Sequence, residues 1–363
     1  MKDICVAFVG PIASPDQPAR GGFQAANRST IDELRRRQIS VVEYKYPEPT
    51  GTKPRKALAY LRGFLSLTCS VWMEKGRWDI VHITPLYKYF IYYEAVLLLL
   101  LKLLNKRILL DIRAGSAIDR YERGSFLYRL FFRTALRMAD GVSVEGKEYV
   151  SFVNRYKNDR VLYLPNYVRT HDVAPSSGRS SGPIKLVFLG RVTPEKGIEA
   201  AIETGTILHA HGYEIELFVI GTGDAKYIDV LKERYPFEWI RWVGALPLQN
   251  VREKIRDCHF FLFPTRHYGE GHSNALTEAM AEGLVPICSD AGFNRSVVAE
   301  AGIVLPVLAR PEEYASRIEA VWNNKEWANL SHAARDRVQR LYSADMVIPK
   351  LIQRYYEILG LTS

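Results

Sequence analysis

Cysteine is scarce in this chain of 363 residues. The four that occur, Cys5, Cys69, Cys258 and Cys288, stand far apart in apolar stretches with no C-x-x-C or metal-ligand spacing. That excludes a disulfide framework and a cysteine-held metal, and it suits free thiols in a reducing cytoplasm. Long hydrophobic runs are missing too. The most apolar stretch, IYYEAVLLLLLKLLN, is interrupted by Glu94 and Lys102 and falls short of the ~20 residues a spanning helix needs. The opening MKDICVAFVGP carries Asp3 and too short an apolar run for a signal peptide, so it reads as a first strand. Neither a fixed-period repeat nor a coiled-coil heptad is present. No Asp-x-Asp pair occurs, and no metal site is expected.

What is there is an ordinary globular composition, 47% apolar and 25% charged, in a chain longer than one core usually covers. Two domains are expected. The charge is unevenly placed: residues 1–166 hold 27 Lys and Arg against 16 Asp and Glu, net +11, whereas residues 167–363 hold 22 against 24, net −2.

Short apolar runs alternate with helical segments along both halves. DICVAFVG, ISVVEY, DIVHIT, RILLDI and GVSVEG fall in the first, and IKLVFLG, IELFVIG, FFLFP and LVPICS in the second. This alternation predicts βαβ units, and the near-continuous apolar runs predict strands of parallel sheets covered on both faces. The fold class is α/β, with two doubly wound domains: residues 1–166, a Pro/Ser/Gly-rich linker at 167–183, residues 184–342, and a last helix at 343–363 expected to pack back toward the first domain. Pro349 should kink that helix.

Ligands of open parallel sheets bind where the strands' carboxyl ends lead into helix N-termini. FLGRVTPEKGIEAAI follows a strand and opens a helix, with Arg191 and Lys196 five residues apart. Two cations beside the positive end of a helix form either a phosphate clamp or a solvated turn. GEGHSNALTEAMAEG follows the strand FFLFP, with a helix capped by Ser273 or Asn274. On a helical wheel Ala275, Leu276, Ala279 and Met280 form the buried stripe. Glu278 lies off that stripe, free to accept from the vicinal hydroxyls of a ribose or to be solvated, as Glu282 is expected to be. Gly221 and Gly223 in VIGTGDAK read as turn glycines near a nucleotide, since the third glycine of a dinucleotide fingerprint is missing. His82 and His272, nearest to strand ends, read as packed or hydrogen-bonded histidines before they read as bases.

GRVTPEKG together with the Glu-x7-Glu element of EGHSNALTEAMAEG resembles the signature of glycosyltransferase family 4. The likeness extends over the second half and more loosely over the first, where Gly21 and Gly22 match the glycine-rich loop after strand one. It implies a GT-B fold, two facing Rossmann-like doubly wound domains with an interdomain cleft, the acceptor in the first and the nucleotide-sugar in the second. It implies a retaining hexosyltransferase of bacterial-type polysaccharide or glycolipid assembly that is independent of metal and of any cofactor, the nucleoside-diphosphate-sugar being a co-substrate. Carried over by residue, it assigns Arg191 and Lys196 to the diphosphate, Glu270 to the donor sugar and Glu278 to the ribose. Gly190 and the loop of Gly271, His272, Ser273 and Asn274 would line the donor.

Two departures stand out. Arg113 in LLDIRAGS replaces a histidine common in the family, and is either an acceptor-side or phosphate contact or a structural ion pair. Asn166 in LPNYV stands where Asn-Gly is frequent. The rival readings are a GT-B epimerase of nucleotide-sugars and a non-catalytic binding module or nucleic-acid binder; no known nucleic-acid motif is present, and no nucleic acid is expected. The basic first half, with KALAYLRGFLSLTCSVWMEKGRW and LYKYFIYYEAVLLLLLKLLNKR, is expected to touch an anionic membrane peripherally, at the inner face of the cell membrane, in reach of a glycan or lipid-linked acceptor. The plainer alternative is two core helices with solvated bases.

Overall fold

The computed structural model describes residues 3–14, 21–85, 88–157, 161–169 and 182–361. Most of the linker expected at 167–183 lies outside them. The chain divides into two compact units, Met1–Pro165 with Val347–Ser363, and Asn166–Met346.

In the first unit β1 (Cys5–Gly10), β2 (Ser40–Lys45), β3 (Ile80–Ile83), β4 (Arg107–Ile112), β5 (Gly141–Val144) and β6 (Leu162–Tyr163) form one sheet in the order β2-β1-β3-β4-β5-β6. Every pairing is parallel. β3 and β5 are buried at every residue, which is why their sequences lack polar alternation. The order reverses at β1 and β3. There a Cβ on Gly10 (φ +158°) would come within 2.0 Å of Thr84 Oγ1, so only glycine lets the two strand ends meet. The Asn27 amide donates to the Pro11 carbonyl and to Thr84 Oγ1, each at 2.9 Å, fixing the helix Gly22–Arg36 against the same point.

In the second unit β7 (Ile184–Leu189), β8 (Ile215–Ile220), β9 (Ile240–Gly244), β10 (Phe260–Phe263), β11 (Val285–Ser289) and β12 (Ile303–Leu305) run parallel in the order β12-β11-β10-β7-β8-β9. This is the Rossmann order, with its switch point at β7 and β10. The core joins Leu186, Phe188, Leu217, Phe260, Leu262 and Ile287 to the inner faces of the helices Ile198–Ala210 and Pro311–Asn323. Both units are thus doubly wound α/β domains.

The last helix, Ala344–Leu359, runs on through Pro349, where the sequence predicts a kink. The proline removes one backbone donor without ending the helix. From Val347 onward this helix belongs to the first unit.

Candidate functional site

The switch point of the second sheet brings together the two loops that the sequence singles out. After β7 the chain turns through Pro194–Lys196 into the helix Ile198–Ala210. Gly197 sits at φ +79°, and a Cβ there would lie 2.1 Å from the Pro264 carbonyl oxygen. The turn therefore lies flat against the end of β10. The Arg266 amide donates to the Glu195 carbonyl at 2.7 Å and ties the two loops together.

This closeness brings Lys196 Nζ to 2.6 Å from Glu270 Oε2, with 14% and 8% of the two side chains exposed. The Thr265 hydroxyl donates to the same oxygen at 2.9 Å. A Cβ on Gly292 would stand 2.2 Å from the Glu270 carbonyl oxygen, so that glycine makes room for the glutamate. An ammonium has three donors and one here goes to Glu270, which leaves capacity for an anion's oxygens. Arg191 is exposed at the end of β7.

Around the next loop Ser273 caps the helix Asn274–Ala281, its Oγ accepting from the Leu276 amide at 3.4 Å. His272 is 3% exposed, its Nε2 2.8 Å from Thr277 Oγ1 and its ring edge-on to Tyr342. The side chain is a packing group, and the loop offers backbone. Asn166 shapes that loop: its amide donates to the His272 carbonyl at 2.6 Å. Gly271, Ser273 and Asn274 are half-buried. The buried stripe is Leu276, Thr277, Ala279, Met280 and Ala281, with Ala275 half-buried. Glu278 is half-buried off that stripe. Glu282, expected to be solvated, is 2% exposed and lies 3.7 Å from the Arg256 guanidinium. It sits at the helix's C-cap, where the wheel no longer governs direction.

Glycine geometry closes the other side of the site. A Cβ on Gly221 (φ +138°) would strike the Gly190 carbonyl oxygen at 1.8 Å, and one on Gly223 the Val192 carbonyl oxygen at 2.1 Å. The ends of β7 and β8 meet backbone to backbone.

Sequence reasoning passed over His267. It is half-buried three residues before Glu270, and its pKa is lowered from the ordinary 6.5 by burial first and by the Lys196 charge next, against the pull of Glu270. A neutral imidazole offers one donor and one acceptor. The available signal was its place in the loop after β10.

In the first unit Gly21 caps the helix Gly22–Arg36 in extended backbone (φ −173°), with no side-chain cap and no acid in the first turn. Arg113 is 6% exposed, and its Nε donates to Asp111 Oδ2 at 2.5 Å. Asp111 also meets His82 Nε2 at 3.2 Å and accepts from the Ser143 hydroxyl at 2.8 Å. Burial would raise the Asp111 pKa, but the charge of Arg113 and the His82 bond prevail and hold it below the usual carboxylate range. His82 Nδ1 lies 2.6 Å from the Tyr355 hydroxyl, and its pKa is lowered chiefly by burial.

The second sheet thus holds a cation, a carboxylate and a capped helix at its switch point, the place where open α/β sheets bind their ligands. The family model described as "Glycosyl transferases group 1" matches residues 171–338. Among curated proteins, the chain is 21% identical over 238 residues to the uncharacterized glycosyltransferase YqgM of Bacillus subtilis, covering 64% of this chain and 66% of that protein. It is 29% identical over 114 residues to the amylovoran biosynthesis glycosyltransferase AmsK of Erwinia amylovora, covering 30% and 28%. The matched stretches thus span less than two thirds of either relative. Among solved structures, Anabaena Alr3699/HepE in complex with UDP superposes with a TM-score of 0.73 at 12% identity, over 98% of this chain and 100% of that one. Over residues 171–338 the chain is thus similar to the group 1 glycosyl transferases, and its two doubly wound units have the GT-B fold of the solved structure it superposes on.

Proposed function

We propose that the protein transfers a hexose from a nucleoside-diphosphate-sugar to an acceptor hydroxyl with retention, in the assembly of a bacterial-type polysaccharide or glycolipid. The observation that carries this reading is the Lys196–Glu270 pair at the β7/β10 switch point. The second unit takes the donor. As the glycosidic bond breaks, negative charge grows on the departing diphosphate, and Arg191, Lys196 and the start of the helix Ile198–Ala210 stabilise it before any rearrangement is needed. Glu270 faces the sugar and Glu278 the ribose hydroxyls, with Gly190 and the 271–274 backbone lining the donor. UDP in the Anabaena complex and the amylovoran role of AmsK support this choice of substrates.

The first unit takes a glycan or lipid-linked acceptor, with Gly21 and Gly22 on its side, while Arg113, paired with the buried Asp111, holds the sheet. The protein works in the cytoplasm, against the inner face of an anionic membrane. No helix among the described residues is long and apolar enough to cross one.

The test incubates the full chain with labelled uridine- and guanosine-diphosphate sugars and a membrane extract as acceptor source. Labelled glycan or lipid together with free nucleoside diphosphate is the expected result. Epimerised donor, or donor unchanged under every condition, overturns the reading.

A further inference from the structure

Three helices of the first unit carry apolar residues on the wrong side for a core. In the helix Lys53–Met73 the buried residues are Phe64, Leu67 and Val71, while Leu58, Leu61, Leu65 and Trp72 are 49–58% exposed. Their spacing places them on one outward stripe about 21 Å long. The helix Ile91–Leu103 repeats the pattern with Val96, Leu99 and Leu103, exposed by 60%, 50% and 72%. The helix Phe126–Met138 adds Phe126 at 70% and Leu130 at 40%.

The three lie side by side. Phe64 packs on Tyr93 with ring centroids 4.0 Å apart, and Tyr92 meets Phe131 edge-on at 5.1 Å. Their outward stripes thus form one apolar face, larger than the scattered exposed residues that need no explanation.

Charge says what covers it. The three helices hold eight Lys and Arg, at 53, 55, 56, 62, 102, 129, 133 and 137, of which Lys102 is paired with Asp140 at 3.0 Å, and a single acid, Glu94, which is 1% exposed. A second copy of the chain would bring the same bases against one another. An anionic lipid surface accepts both features, with apolar side chains among the acyl chains and bases at the headgroups. Trp72, at the end of its stripe, is a residue type enriched at that boundary.

We propose that this face is a docking plate whose apolar stripes enter an anionic bilayer interface. As the place where a lipid-linked acceptor is met it rests on the glycosyl-transfer reading above, but the contact itself does not.

Sedimentation with vesicles tests it on the full chain. Phosphatidylcholine vesicles containing phosphatidylglycerol should bind the protein, and phosphatidylcholine alone should not. Leu61→Glu with Leu99→Glu, both exposed and tolerable to the fold, should weaken partitioning about 100-fold. Arg55→Ala with Lys56→Ala should weaken it roughly 10-fold and reduce its salt dependence. Tryptophan emission should shift to the blue on binding, and Trp72→Phe should diminish that shift. Unchanged binding of the Leu61/Leu99 variant, or no vesicle binding by the parent chain, overturns the plate. So does a parent dimer in light scattering that the same variant dissociates, which would assign the face to a second copy. Calorimetry with uridine diphosphate separates the two readings: the Leu61/Leu99 variant should keep the parent affinity. A parent chain that binds vesicles but no nucleoside diphosphate counts against the transferase and leaves the plate standing.

Discussion

Each sheet carries an ionic group at the carboxyl ends of its strands, and the two groups live in different surroundings. In the first unit Asp111 holds Arg113, His82 and Ser143 at once, with 0% of its own side chain and 1% of that of Arg113 exposed. In the second, Lys196 and Glu270 keep a fraction of their surface in water, and Arg191 beside them is exposed. A sealed carboxylate whose every neighbour is in place can only hold its strands together. A pair at the rim can exchange one partner for a ligand without leaving a charge stranded.

The largest effect should come from breaking the sealed group. Asp111→Ala leaves Arg113 and His82 in the core without their counter-charge and should cost roughly 3–5 kcal/mol in urea unfolding, while calorimetry finds uridine diphosphate binding unchanged. Lost turnover without lost stability would instead make the first group a substrate site like the second. The next effect belongs to the rim. Lys196→Ala or Arg191→Ala should lower turnover about 100-fold or more with little change in the unfolding midpoint, and near-parent turnover in both would sink the clamp. Within the rim the two glutamates should separate: Glu278→Gln weakens binding of free nucleoside diphosphate about 10-fold, whereas Glu270→Gln spares it and slows transfer. The reverse order in calorimetry would exchange their roles.

Acidification gives a smaller contrast. The pKa of His82 is lowered in the fold, so the unfolded chain binds its proton first, and stability present above pH 6.5 is lost as pH falls below it. The lowered Asp111 adds a loss below its unfolded value of 3.8. His82→Gln should flatten the first decline in melting temperature and leave the second, and an unchanged profile would remove His82 from the account. The smallest effect expected is that of Asn166→Ala. Loss of its bond to the His272 carbonyl should cost about 1 kcal/mol, and a larger drop in turnover than in stability would show that the loop's position matters more than its anchorage.

The α/β class was legible because the central strands are buried on both faces and so read as unbroken apolar runs. β6, β9 and β12 escaped notice, and each is an edge strand. Edges keep one side open and tolerate mixed sequences such as IRWVG in β9. The Arg113 ion pair had a local signal, since residues two apart on a strand share a face. The cross-strand partnership of Asp111 with Ser143 had none, because register is set by the whole sheet. Glu282 was misread because Arg256, which meets it, comes from a different helix segment, and no periodicity announces such a meeting. His267 lies in a loop where periodicity is silent and only distance to Glu270 speaks for it.

The hydrogen bond between His82 and Tyr355 joins residues 273 positions apart. A ribosome adding residues from the N-terminus completes every strand of the first sheet early, then must finish the whole second unit before the helix that supplies Tyr355 emerges. For that interval, at ~5–20 residues per second, His82 has Asp111 but lacks its Tyr355 partner. The last helix therefore joins the first unit only after the second has been made, and a stall or truncation anywhere between Asn166 and Met346 leaves the first sheet without its last piece.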